Sequence, residues 1–275
     1  MFVKAIENNI MSTRALLTAR LFYKNREIIN GISSLIVLNA EGDILTCAHV
    51  ADLFLTAEET NEVYLPILKE LKNQSPRKKK VIENKYGIKE DSLVGLYNII
   101  ADVASNLGQL NIIKHPTVDL AIIRLESKDK VLVTEFPSFR ANNFAIGERV
   151  CKLGYAFPEF DTFYYDENDC QIKTHNKVMH FPIFPHDAMV TRNIVDTNNE
   201  ITMFEISTPC LPGQSGGPIF DDKGAIGGIQ IGTKRISSTY NNEMAFNLDL
   251  GIGINVTTIT DFLDENQIKY NKAAK

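Results

Sequence analysis

Pro212-Gly213-Gln214-Ser215-Gly216-Gly217-Pro218 sets one serine among glycines. Small neighbours leave its hydroxyl exposed and let the adjacent N–H groups point at one spot. A nucleophile beside donors able to stabilise an oxyanion suits acyl transfer. Serine is a weak nucleophile alone, so a base is needed, and a group to orient the base. Upstream lie Thr46-Cys47-Ala48-His49-Val50 and Val118-Asp119-Leu120-Ala121-Ile122-Ile123. In a triad, His49 takes the Ser215 proton and returns it to the leaving group. Asp119 fixes the imidazole tautomer and favours the imidazolium.

Chain order separates the architectures able to carry these residues. G-x-S-x-G also fits the nucleophile elbow of α/β-hydrolases, where the histidine follows the serine. All five histidines, His49, His115, His175, His180 and His186, precede Ser215, which excludes that triad. A subtilisin-like order needs an aspartate before His49, and nearby Asp43 sits in a hairpin turn. The order His, Asp, Ser remains.

On these residues the chain resembles a chymotrypsin-fold serine peptidase of the bacterial trypsin-like, HtrA-like kind. Thr46 to Val50 is similar to that family's T-x-x-H-V segment, Thr117-Val118-Asp119-Leu120-Ala121 to its D-[IL]-A segment, and Pro212 to Pro218 to its P-G-N-S-G-G-P. Gly251-Ile252-Gly253-Ile254-Asn255-Val256, with a helix after it, is similar to the end of that catalytic domain. The resemblance implies a mainly β chain of two six-stranded antiparallel barrels. His49 and Asp119 would come from the first and Ser215 from the second. The halves are expected at 1–137 and 138–275, forming one catalytic unit, with no PDZ domain.

The resemblance also implies an oxyanion hole from the N–H groups of Gly213 and Ser215. Main-chain groups of Gln230, Ile231 and Gly232 would pair with an extended peptide substrate. Pro209 stands six residues before the serine, where trypsin-like enzymes hold the aspartate that selects Lys or Arg. Cleavage after basic residues is therefore not expected, and a small or medium aliphatic P1 residue is. Gln214 replaces the aspartate that captures a freed N-terminus in secreted zymogens, so activation by clipping is not expected. The resulting expectation is a serine endopeptidase working through an acyl-enzyme. Its rival is a catalytically silent protease-fold binding or scaffold module.

A chain of 275 residues can bury a substantial core. A formal net charge of −5 argues against nucleic acid as the main partner. Arg77-Lys78-Lys79-Lys80 reads as a solvated tip. No apolar stretch approaches a membrane span, and the N-terminus lacks the layout of a signal peptide. Cys47, Cys151, Cys170 and Cys210 show no close paired spacing, which points to a reduced, cytoplasmic protein. Cys170, His175, His180 and His186 match no standard zinc spacing, so neither metal nor other cofactor is expected.

Turn signals mark two similar hairpins. One runs Ser33–Leu38, a turn at Asn39–Asp43, then Ile44–Thr46, delivering His49. The other follows Ser215, with Pro218–Phe220, a turn at Asp221–Gly224, and Ala225–Ile231. Short strands are expected at 111–114, 120–125, 149–155, 202–207 and 250–256. Residues from about 53 to 107 depart from the family. Tyr64, Leu65, Ile67, Leu68 and Leu71 make one helical stripe. Leu93, Leu96, Ile99, Ile100, Val103 and Leu107 make another, capped by Ser92. This reads as a two-helix insertion, either packed on its own barrel or offering a docking surface for substrate or a regulatory protein. Thr258 and Asp261 resemble a capping box opening a C-terminal helix.

Overall fold

The computed structural model describes residues 2–24, 26–104, 108–126, 129–175, 181–240 and 243–274. The first half runs α1 (Val3–Ile10), β1 (Thr13–Phe22), β2 (Ile28–Val37), β3 (Asp43–Thr46), α2 (Ala48–Leu71), α3 (Pro76–Tyr86), β4 (Leu93–Ile100), β5 (Gln109–Lys114) and β6 (Ala121–Glu126). The second half begins with β7 (Ser138–Phe139), β8 (Arg149–Lys152), β9 (Phe163–Asp166), β10 (Gln171–Thr174), β11 (His186–Val195) and β12 (Ile201–Ile206). It ends with β13 (Pro218–Phe220), β14 (Ile226–Tyr240), β15 (Glu243–Asn255), α4 (Val256–Glu265) and β16 (Asn271–Lys272).

Six strands of the first half form one antiparallel sheet in the order β4-β1-β2-β3-β6-β5. Among the described residues β4 and β5 do not pair, so this sheet is a half-barrel. An unpaired edge invites another chain unless something covers it. Here α2 does so. Asn61 Nδ2 donates to Leu96 O at 2.6 Å, and its Oδ1 accepts the Leu96 N–H at 3.2 Å. Asn98 on β4 returns a bond to Leu53 O at 2.7 Å.

The second sheet closes. Its order β13-β8-β11-β12-β15-β14 is completed by pairing of β13 with β14, giving a ring of six antiparallel strands. Strands β7 and β16 extend it at β14 through parallel pairings. Val150, Ala188, Val190, Phe204, Ile206 and Ile219 pack together inside the ring. Each valine, isoleucine or phenylalanine among them contributes about 1.5–3 kcal/mol by burial.

The ends of the chain cross between the halves. On α1, Asn9 Nδ2 donates to Gly224 O at 3.0 Å, and Phe2 meets Phe220 edge-on. In return Asn39 Nδ2 donates to Lys269 O at 2.9 Å. The largest core joins Leu45, Leu120 and Ile122 of the first half to Ile226, Ile254 and Phe262 of the second.

Two expectations about helices are corrected. The run Leu93–Ile100 is strand β4, paired with β1 from Leu16↔Ile100 to Phe22↔Leu93. Ser92 caps no helix; its Oγ accepts the Lys89 N–H. The misleading stripe arose because α2 also packs on β4, so apolar residues fall on both faces and lose the period of two. Leu107 lies outside the described residues. The insertion is still two-helical, but its helices are α2, which begins at the histidine segment, and the charged α3. The C-terminal helix begins earlier than Thr258, at Val256, with Asn255 as N-cap and no side-chain capping bond. Thr258 Oγ1 instead reaches Thr202 O at 3.4 Å.

Candidate active site

His49 occupies the first turn of α2, just after the end of β3. The free N–H groups of a helix start attract an anion, and Asp119, just before β6, supplies one. Its Oδ1 accepts the His49 N–H at 2.9 Å, and its Oδ2 lies 2.6 Å from His49 Nδ1. Burial pushes the Asp119 carboxyl upward. Bonds from the His49 side chain, the His49 N–H and the Ala48 N–H outweigh it and hold the group below its ordinary value. An ionised carboxylate accepting from Nδ1 leaves Nε2 without the proton on a neutral ring, which is the tautomer a general base requires. The His49 side chain is 51% exposed.

The serine loop runs from β12 to β13 and is pinned against the first sheet. Ser34 on β2 makes two of the ties and a third bond to Tyr155, outside the loop. Its N–H donates to Ser215 O at 2.9 Å, its Oγ donates to Gly213 O at 2.9 Å, and the same Oγ accepts the Tyr155 N–H at 2.9 Å. Gly216 N–H donates to Gln230 O at 2.8 Å, and Cys47 Sγ donates to the same oxygen at 3.1 Å. The serine loop and the histidine segment therefore share one acceptor.

Glycine is required at two of these positions. Gly213 has φ +98°, and a Cβ there would fall 2.2 Å from Tyr155 O. Gly216 has φ +87°, and its Cβ would fall 2.0 Å from Ser34 O and 2.4 Å from Thr46 Oγ1. Between them the buried Gln214 accepts the Leu211 N–H at 3.1 Å and donates to Phe184 O at 3.0 Å. Among the described residues the N–H groups of Gly213 and Ser215 have no protein acceptor, whereas those of Gln214, Gly216 and Gly217 do. No hydrogen bond joins Ser215 Oγ to His49 among the described residues; the His49 bonds go to Asp119.

Beyond Ile229, β14 pairs only with β15 among the described residues, so its other edge has no strand partner along Ile231 and Gly232, where the Gly232 N–H faces the Cys210 sulfur. Gln230 itself is occupied. Its N–H donates to Gly217 O at 2.9 Å, its carbonyl receives the two donors above, and its Nε2 donates to Leu153 O at 3.0 Å. Pro209 lies in the same loop as Ser215, and its carbonyl accepts from Lys152 Nζ.

Ligand atoms of Cys47, His49 and Asp119 lie within 4.8 Å of one another, the set nearest to a metal site among the described residues. Burial first, and the Asp119 charge second, push the Cys47 thiol well above its ordinary value, so it stays a neutral donor. Cys170 points to Leu68 O, His175 stacks on Tyr164, and His186 faces Phe184. His180 lies outside the described residues. All four cysteines are free, and no helix among the described residues is long and apolar enough to cross a membrane.

Sequence reasoning missed Ser34, Tyr155 and Lys152. Only Lys152 carried a signal, a charge set directly between Cys151 and Leu153.

Two six-stranded β units, the second a closed ring, with a C-terminal helix define the chymotrypsin fold. The trypsin-like peptidase domain matches residues 33–229, and the chain belongs to that family. No curated protein matches the chain.

Proposed function

We propose that the protein is a serine endopeptidase with Ser215 as nucleophile, His49 as general base and Asp119 as orienting acid. The observation that carries this is the Asp119 carboxylate 2.6 Å from His49 Nδ1, beside a serine loop whose Gly213 and Ser215 N–H groups are unspent. On this reading Ser215 Oγ attacks the scissile carbonyl as its proton passes to His49. The oxyanion forms between the two N–H groups. The proton then goes to the leaving amine, and water repeats the sequence on the acyl-enzyme. One such donor contributes about 3 kcal/mol of transition-state stabilisation. The edge of β14 without a strand partner at Ile231 and Gly232 suits addition of an extended peptide strand, which favours an endopeptidase. Gln230 backs this edge from within.

The absent Ser215–His49 bond favours one rival, a protease-fold binding module with an idle triad. Serine–histidine bonds often tighten only when substrate is bound, so the catalytic reading leads. A fluorophosphonate probe decides between them: it labels the native protein and not Ser215→Ala if the triad works. No labelling, with both proteins folded, leaves the binding module.

Pro209 offers no acid at the P1 floor, which supports the expected exclusion of Lys and Arg. Four free thiols support a reducing, cytoplasmic location. Basic α3, held by buried Ile82 against Ile67 and Leu71, suits docking of an acidic regulator. Lys78→Glu with Lys80→Glu should weaken such capture and leave peptide cleavage intact; unchanged capture removes the idea.

A further inference from the structure

Among the described residues, Lys152 is the charged side chain facing the interior of the second ring that neither the triad nor an ion pair explains. It lies on β8 and is fully buried. Its side chain points inward on the same face as Val150, not outward with exposed Arg149. Nζ donates to Thr208 O at 3.1 Å and to Pro209 O. Both carbonyls belong to the loop that leads to Ser215.

Among the described residues no carboxylate pairs with it, whereas Glu205 on β12 is bonded by both Arg192 and Lys234. The groups around Lys152 are neutral or turned away. Burial raises the Cys151 and Cys210 thiols and keeps them protonated. His186, directly opposite on β11, is held toward its neutral form by burial and by the Lys152 charge, and its Nδ1 has no partner among the described residues. Asp187 is spent on Arg149. Desolvation lowers the ammonium to about 8, which leaves it charged at neutral pH.

A buried cation held only by two carbonyls carries a desolvation penalty that an anionic ligand would offset. An ammonium has three donors, and two are used here. Nearby on the stretch of β14 without a strand partner, a Cβ at Gly232 would meet nothing within 4 Å, so space is available beside the loop.

We propose that Lys152 forms the floor of the P1 subsite and selects substrates with aspartate or glutamate at P1. The unused third N–H of the ammonium donates to the incoming carboxylate. This rests on the peptidase reading above, and it replaces the aliphatic preference, which took no account of a cation behind Pro209. The rival is a tether that merely holds the 208–209 turn.

The test uses peptides identical except at P1 (Glu, Asp, Leu, Val or Arg), each carrying a C-terminal fluorogenic amide. Native kcat/KM should favour Glu or Asp over Leu and Val by about tenfold or more. Lys152→Arg should keep the ratio and Lys152→Met should abolish it. A native preference for Leu or Val overturns the proposal even if Lys152→Met does not fold, and so does a ratio unchanged in a folded Lys152→Met. A second arm needs no turnover: product peptides ending in Glu or Leu are titrated into Ser215→Ala. Tighter binding of Glu by about tenfold supports the assignment, and equal binding overturns it. Absent probe labelling with a Glu preference in this arm would sink the peptidase reading and keep Lys152. Active enzyme with a Leu preference would do the reverse.

Discussion

Replacing Ser34 by alanine removes one oxygen that serves two partners across the junction of the sheets. Gly213 O loses its donor and the Tyr155 N–H loses its acceptor, each at 2.9 Å in the native protein. Ser34 is fully buried, so water does not replace the hydroxyl without a rearrangement. Each stranded group costs about 1–2 kcal/mol, giving roughly 2–4 kcal/mol for the pair. For a chain of this size that is a fall in melting temperature of roughly 5–15 °C. The larger consequence concerns Gly213. Its carbonyl is the anchor that fixes the loop leading into Ser215, and with it the direction of the N–H proposed for the oxyanion. Loss of one oxyanion donor lowers turnover by about 10²–10³-fold. The assay is the second-order rate of fluorophosphonate labelling at Ser215, measured with thermal unfolding on the same samples. We expect labelling slowed by about 100-fold well below the new melting temperature. A folded Ser34→Ala protein that labels at the native rate would refute the reasoning, because Ser34 would then be a stabilising tie and nothing more.

Asp119→Asn should lower kcat/KM by about 10⁴-fold through the wrong His49 tautomer, with KM little changed; a loss under tenfold would show that His49 is oriented by something else. Gly216→Ala demands a left-handed backbone and a Cβ inside Ser34 O, so it should abolish labelling and yield little folded protein. Near-native melting of that variant would contradict the close approach. Asp119 and Glu205 both ionise more readily folded than unfolded, so their contribution to stability is fully present above their ordinary values of 3.8 and 4.5. It is lost as pH falls through the lower folded values. Thermal unfolding from pH 6 to pH 3 should show this decline, and it should be smaller in Asp119→Asn. A flat profile would remove the linkage.

Much of this arrangement was legible because it is local. The turn at Asn39–Asp43 and the turn at Asp221–Gly224 are written in Asn, Asp and Gly, and the strands beside them formed where expected. The spans of β5, β6, β8 and β12 were likewise readable from short apolar runs. What escaped was decided by partners far away in sequence. Leu93–Ile100 has no period of its own to distinguish strand from helix; its pairing with β1 and the cover from α2 settle it. The outer reach of β14 from Thr233 to Ser237 is exposed except at Ile236 and carries no alternating burial pattern to read. Ser34 was invisible for the same reason, since the Ser33-Ser34 pair in β2 says nothing about a loop 179 residues later. Lys152 was visible but not interpretable, because its meaning depends on which carbonyls it meets.

The helical insertion takes on a different character once its start is located. It does not hang from the sheet as a separable decoration. The first turn of α2 holds His49 and binds Asp119, and three turns further on Asn61 closes the edge of β4. One rigid element thus fixes the proposed base at one end and blocks strand pairing at the other. Excising residues 60–105 would remove β4 itself and leave an edge of β1 bare, so loss of activity after such a deletion would say nothing about docking. Substitutions at Lys78 and Lys80 on α3 avoid this, because that helix is held through Ile82 and the bond from Tyr23 to Glu83, which they leave alone.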